Sequence, residues 1–208
     1  MVFSGPQTEP IETRNPGPVQ FFLLMFLPDA FHAMTGVNLQ AYTNRHTSLH
    51  EVLDVEWQRM AIDVMAAQDD SRRVQIIETF LRPRWQAARP ATLPLAPQGL
   101  TDWVRHLAMR CAMSPTGKSL RQIERRVKQW TGQTQRQLIR MTRGERAYLN
   151  AREQCERGDL VWSALAVDEG FSDQSHFCRE FRKLTGLQPE AVLGKFDRDE
   201  RLWIYKVW

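Results

Sequence analysis

Residues 170 to 186 read GFSDQSHFCREFRKLTG, and the side chains set between its phenylalanines are of types that recognise rather than react. Helical residues advance about 100° each, so Phe177, Phe181 and Leu184 form one inward stripe. Ser175, Arg179 and Arg182 then face out, with Gln174 and His176 beside them. An ordinary solvated face carries Glu and Lys pairs, whereas amide, hydroxyl, imidazole and guanidinium groups suit hydrogen bonding to base edges. The pattern occurs twice. A shift of 54 residues lays IERRVKQWTG, residues 123 to 132, over FCREFRKLTG, residues 177 to 186. Ile123 meets Phe177, Val127 meets Phe181, Trp130 meets Leu184, Arg125 meets Arg179, and the closing Thr-Gly coincides. In the first copy Arg121, Arg125 and Lys128 lie opposite the apolar stripe.

Short helices of this kind need fixed ends. Ser119 and Asp173 stand at matching places as N-caps, each able to accept from free amides of the first turn. Upstream of the second copy, Asp159 is expected to cap a helix over LVWSALAVDE, Ala166 permits close helix crossing, and Gly170 ends that helix in the left-handed conformation. Phe171 packs the corner. This is a helix-turn-helix, a device whose second helix fits a major groove about 12 Å wide. Gln174, Ser175, His176 and Arg179 become the base-reading candidates. For single residues a plainer reading stays open, with Arg179 pairing an acid and His176 capped at the surface. Glu124 is expected to pair with Lys128 one turn on rather than to read a cytosine amine.

On these residues the chain resembles the AraC/XylS-type bacterial transcription regulators. GFSDQSHFCREFRKLTGLQP is similar to their second helix-turn-helix, SLRQIERRVKQWTG to their first recognition helix, and RQLIRMTRGERAYLNA to their long linker helix. The similarity covers roughly residues 100 to 193. It implies two helix-turn-helix units in one domain that enter successive major grooves, about 34 Å apart. It also implies that Arg121, Gln122 and Arg125 read bases from the first helix while Lys128 lies near a phosphate. Double-stranded DNA is the implied partner and RNA polymerase a further one, since most such regulators are activators; the implied location is cytoplasmic and nucleoid-associated. The first unit departs from the family pattern. Ala108 and Ala112 hold its small-residue and glycine places, but the usual cap position falls on Ser114 and the cap in register, Ser119, comes five residues later, so SPTGK lengthens the turn. A tilted first recognition helix is the expectation.

The rest of the chain must position these helices. Its 208 residues suffice for one large or two small domains, and 42% hydrophobic content supplies a core. Residues 1 to 98 hold 8 Lys and Arg against 10 Asp and Glu, and residues 99 to 208 hold 20 against 14, so the C-terminal half is the basic one. Between residues 118 and 157 the ratio sharpens to 11 against 4, a segment that attracts a polyanion. Cys111, Cys155 and Cys178 have no ligand or disulfide spacing and fit reduced thiols. His46 and His50 stand four apart without a third ligand, so no metal or other cofactor is expected. No Ser, Cys or carboxylate cluster suggests an enzyme.

The expected fold class is mainly α: an AraC-type C-terminal domain of seven helices, two helix-turn-helix units joined by a long helix, after a small, mostly helical domain with at most one or two strands. Residues 1 to 18, with four prolines, read as an irregular lead-in. Residues 19 to 88 read as a strand plus helices, namely VQFFLLMF as a buried strand stopped by Pro28, a capping box SLHE at 48 to 51, VEWQRMAIDVMAA behind Asp54, and SRRVQIIETFL. Residues 89 to 99, RPATLPLAPQG, read as a linker, 100 to 193 as the DNA-binding domain and 194 to 208 as an aromatic tail. FFLLMFL is too short to span a bilayer.

Relatives commonly begin with a ligand-sensing β-barrel, and fewer than 30 residues precede Pro28, too few to close one. The front half is therefore expected to be the end of a sensor without its ligand cup. Trp57, Met60, Val64 and the VQIIETFL helix have two uses open: intramolecular core, which is favoured, or the face of a homodimer through residues 48 to 88. The alternative to a sequence-specific regulator is a truncated interaction module that pairs with another regulator and binds DNA weakly.

Overall fold

The computed structural model describes residues 1–14, 17–19, 21–89, 100–113 and 119–195, and these are mainly helical. The chain divides into two compact units, one of residues 1–7, 12–98 and 105–135, the other of 8–11, 99–104 and 136–208. The linker expected over residues 89 to 99 lies, but for Arg89, outside the described residues. The division groups the first recognition helix with the front half, not with the second recognition helix.

The first unit opens with a strand, β1 (Val2–Ser4), inside the segment expected to be irregular. It pairs antiparallel with β2 (His46–Ser48), Phe3 opposite Thr47. Between them lie α1 (Pro28–Thr35) and a 3₁₀ turn (Leu39–Tyr42). Next come α2 (Leu49–Val52), α3 (Val55–Ala66) and α4 (Asp70–Ala88), then α5 (Leu100–Met113), whose residues up to Val104 are grouped with the second unit, and α6 (Leu120–Thr131). Asp54 caps α3 as expected, accepting from the amides of Glu56 and Trp57. The capping box at α2 does not close, because the Glu51 carboxylate accepts from Thr47 Oγ1 at 2.5 Å. Asp69 caps α4, accepting from Arg72 N–H at 2.8 Å. This helix runs seven residues past the expected Leu81 and through Pro83. Thr79 and Pro83 are both exposed, so the proline sits on the solvent side of the helix.

The buried-strand expectation for FFLLMFL fails. Residues 21–27 have no regular structure; Leu24 and Phe26 pack against the core, while Phe21, Phe22, Leu23, Met25 and Leu27 are exposed. An apolar run becomes a buried strand only beside a pairing partner, and the one sheet among the described residues is β1–β2. Pro28 does not merely stop the run but occupies the first turn of α1, where its missing N–H costs nothing.

Phe31, Leu39, Leu53, Trp57, Met60, Val64 and Ile77 form the core of this unit. Trp57 is its centre, with ring centroids at 5.9 Å from Phe31 and 5.0 Å, edge-on, from Phe80. Trp57, Met60 and Val64 are thus spent on this protein's own interior. His46 bonds Ser4 Oγ at 3.0 Å and His50 Nδ1 bonds Gln58 Oε1 at 2.7 Å, so each imidazole already has a neighbour. The described residues contain no group of three or more His, Cys, Asp or Glu placed to hold a metal ion. No described helix is long and apolar enough to cross a membrane.

The second unit contains α7 (Gln135–Arg157), α8 (Trp162–Asp168), α9 (Gln174–Thr185) and α10 (Pro189–Lys195). Its core is Ala147, Ala166, Phe171, Phe177, Phe181 and Val192. Six helices follow Gly99 among the described residues. The tail beyond Lys195 lies outside them.

Burial separates the three free thiols. Cys111 is fully buried, and burial pushes its pKa up to about 11, whereas Cys155 is exposed. Iodoacetamide at neutral pH is expected to alkylate Cys155 in the native protein and Cys111 only after denaturation, as read by peptide mass mapping. Equal rates at both would show that α5 opens in the native state.

Candidate nucleic-acid interface

Each recognition helix is fixed at both ends by its own sequence. At α6 the Ser119 hydroxyl accepts from Gln122 N–H at 3.3 Å, and Gln122 Oε1 accepts from Ser119 N–H at 3.2 Å, a complete capping box. At α9 the Asp173 carboxylate accepts from His176 N–H at 2.7 Å. The far ends match atom for atom. Thr131 Oγ1 lies 2.6 Å from the Val127 carbonyl and accepts from Gln133 N–H at 3.1 Å. Thr185 Oγ1 lies 3.0 Å from the Phe181 carbonyl and accepts from Leu187 N–H at 3.2 Å. Gly132 and Gly186 follow in the left-handed region, at φ +72° and +76°. The Thr-Gly of the sequence echo is therefore a helix stop in both copies.

The inward stripes are as expected: Val127, Phe177 and Phe181 are buried and Ile123, Trp130 and Leu184 half-buried. Opposite them, Arg121, Arg125, Lys128, Ser175, Arg179 and Arg182 are exposed. Gln122, Gln174 and His176 are half-buried. None of those five basic side chains forms a salt bridge within 4 Å of a described residue. Glu124 and Lys128 do not pair as expected; both stay solvated, where an ion pair contributes little. Gln122 gives its amide oxygen to the cap, which leaves only its NH2 group for a partner. His176 is also partly committed. Its Nδ1 accepts from Ser172 N–H at 3.3 Å and its ring meets Phe171 edge-on at 5.5 Å, leaving Nε2 as the remaining polar atom.

The turn before α9 is built as expected at Gly170, which takes φ +78°, and at Phe171, whose ring meets Phe177 at 5.2 Å. Ala166 is fully buried against α9 in the same cluster. Asp159, however, does not cap α8. That helix begins at Trp162 behind Val161, which makes no side-chain cap, while Asp159 donates its backbone N–H to Gln154 and pairs with Arg157 at 3.3 Å. Asp159 belongs to the end of α7, and Gly158 in the left-handed region turns the chain there.

The family model described as a helix-turn-helix domain matches residues 113–195. These residues form an AraC-type helix-turn-helix domain. Neither the curated proteins nor the solved structures provide a match to the chain. The AraC-type domain is that of a DNA-binding transcription regulator, and it is not a catalytic one. Residues 114–118, the lengthened turn of its first unit, lie outside the described residues.

Within the AraC-type domain several structural side chains had no signal in the sequence. Glu169, 5% exposed at the end of α8, accepts from Arg146 Nε and Asn150 Nδ2, each at 2.5 Å, and so ties α8 to α7 across 23 and 19 residues. Arg143 donates to the Gly170 carbonyl at 3.4 Å and lies 5.4 Å over the Phe171 ring. Glu180 sits between Lys183 at 2.7 Å and Arg140 at 3.9 Å; the Lys183 bond is the main reason its carboxyl titrates below the ordinary glutamate range.

Two outcomes follow from the caps. Thr131→Val leaves the buried Gln133 amide without an acceptor and is expected to cost ~1–3 kcal/mol in denaturant unfolding, with Thr185→Val costing less because Thr185 is half-buried. The Asp173 carboxyl titrates below the ordinary aspartate range, first because it accepts from His176 N–H and then from the Ser172 hydroxyl. A depressed native pKa contributes stability above the unfolded value and loses it as pH falls through the folded one. The His176 amide shift in NMR is therefore expected to titrate at a pH below the ordinary aspartate range, and Asp173→Asn should abolish that titration while keeping the cap.

Proposed function

We propose that this AraC-type regulator is a sequence-specific activator that places α6 and α9 in successive major grooves of one duplex. The observation that carries the reading is the pair of matched helices, each with a buried stripe, a Thr-Gly stop and an outward row of arginines free of salt bridges to described residues. A guanidinium already paired to a carboxylate would have to break that bond before reaching a guanine; Arg121, Arg125 and Arg179 start unpaired. Gln174, Ser175 and the Nε2 of His176 complete the base-reading set on α9, and the NH2 of Gln122 joins Arg121 and Arg125 on α6. Lys128 and Arg182, near the C-terminal ends of their helices, suit phosphates. Activation through RNA polymerase and a nucleoid-associated, cytoplasmic location rest on the family resemblance.

Base-edge and phosphate contacts differ in their response to sequence. Arg125→Ala and Arg179→Ala are each expected to lose ~1–3 kcal/mol on the cognate site, each with relaxed preference at a different base pair, in gel-shift titrations against single-base variants. Lys128→Ala should weaken cognate and scrambled DNA alike and lower the salt slope by about one. Should the arginine variants fall equally on both DNAs, neither residue reads sequence.

A second reading is favoured by one feature, the exposed apolar side chains of Phe21, Phe22, Leu23, Met25 and Leu27. In it the front half captures another regulator, through a homodimer or a heterologous pair. Sedimentation that shifts on mixing with a second regulator, without DNA selectivity, would support it over the first.

A further inference from the structure

We propose that α1 and the 3₁₀ turn of the front half act as the scaffold of the first recognition helix, with His32 and Thr43 as positioning residues for its DNA contacts. The inference rests on the two-groove reading and concerns what aims α6 once that reading holds. The closing end of α6 packs against both elements. The His32 ring stacks on Trp130 with centroids 5.8 Å apart and planes 27° from parallel, and His32 Nδ1 is itself held 2.7 Å from the Val37 carbonyl. Thr43 Oγ1 has its nearest acceptor in the Gly132 carbonyl at 2.9 Å, closer than the Gln40 and Leu39 carbonyls of its own turn. No slack remains there. A Cβ on Gly132 would meet Thr43 Oγ1 at 2.8 Å, Pro6 Cγ at 2.9 Å and the Leu39 carbonyl oxygen at 3.1 Å.

The partner helix of the same unit is tied to the same place. Arg110 of α5 forms a salt bridge with Asp29 of α1, whose side chain is 2% exposed, and Arg126 of α6 donates to the Cys111 carbonyl of α5 at 2.8 Å. The α5–α6 pair is thus anchored to α1 through Arg110 and Trp130, and to the 3₁₀ turn through Gly132. By contrast α9 takes its support from α8, α10 and the Phe171 corner within its own unit. Base readout demands that a side chain be held to about 0.5 Å, so loosening one scaffold should blunt one recognition helix and spare the other. The front half then serves as the aiming element for a single half-site, and anything that bound α1 or the turn would tune that half-site alone.

Hydroxyl-radical footprints of the full-length protein on its cognate site test this, with Arg125→Ala and Arg179→Ala marking the subsites of α6 and α9. Thr43→Val and His32→Ala are expected to weaken protection at the α6 subsite by roughly threefold to tenfold, leave the α9 subsite unchanged and retain native circular dichroism. Thr43→Ser, which keeps the hydroxyl, should restore the α6 subsite. Equal loss at both subsites, or full protection at both, overturns the scaffold role while leaving two-groove binding intact. A wild-type footprint with one subsite, insensitive to Arg125→Ala, overturns the two-groove reading and this inference with it.

Discussion

A helix of twelve residues is marginal in water, because its nucleation cost is spread over few hydrogen bonds. Both recognition helices have that length, and both present an outward row of basic side chains that forms no salt bridge with a described residue. Their stability has to come from the buried stripe and from the two ends. The Thr-Gly stop meets this need locally: a hydroxyl satisfies the amide two residues beyond it and binds back into the last turn, while glycine carries the left-handed residue without a Cβ penalty. The N-caps do the same at the other end with different groups, a serine-glutamine box at α6 and an aspartate at α9.

The arginines of the C-terminal half divide by what they touch. Arg110, Arg126, Arg143 and Arg146 are committed to a carboxylate, to carbonyls or to an aromatic face, and they hold helices to one another. Arg121, Arg125, Arg179 and Arg182 are left in solvent on the far faces of α6 and α9. The first four arginines tie helices together, and the last four pair with no described carboxylate. Desolvation lowers the pKa of the half-buried Arg110, and its salt bridge to Asp29 keeps the charge from being orphaned.

The parts of this protein set by nearby residues were legible in the sequence. The stripes of α6 and α9, the Ser119, Asp173 and Asp54 caps, the left-handed Gly170 and the Phe171 corner each depend on residues within about one or two helical turns. Most of what escaped depends on distant partners, with Asp159 a local exception. FFLLMFL has a strand's composition, but no described strand pairs with it, and Phe26 simply leans on Phe31 and Trp57. Asp159 has a cap's chemistry, but Gly158 turns the chain first and leaves it in the wrong place. The Asp29–Arg110 bridge and the Thr43–Gly132 bond join segments separated by 81 and 89 residues, and no periodicity announces either. The grouping of α6 with the front half follows from those interactions between segments far apart in the sequence.

The self-contained helix stop has a consequence for how such a protein changes over time. Because the ends and inner face of α9 are fixed by Asp173, Thr185, Gly186 and three apolar side chains, the outward positions carry almost none of the folding free energy. Ser175, Arg179 and Arg182 can therefore be replaced without asking the rest of the chain to readjust. In the proposed reading, new operators become reachable through single substitutions that leave the scaffold standing.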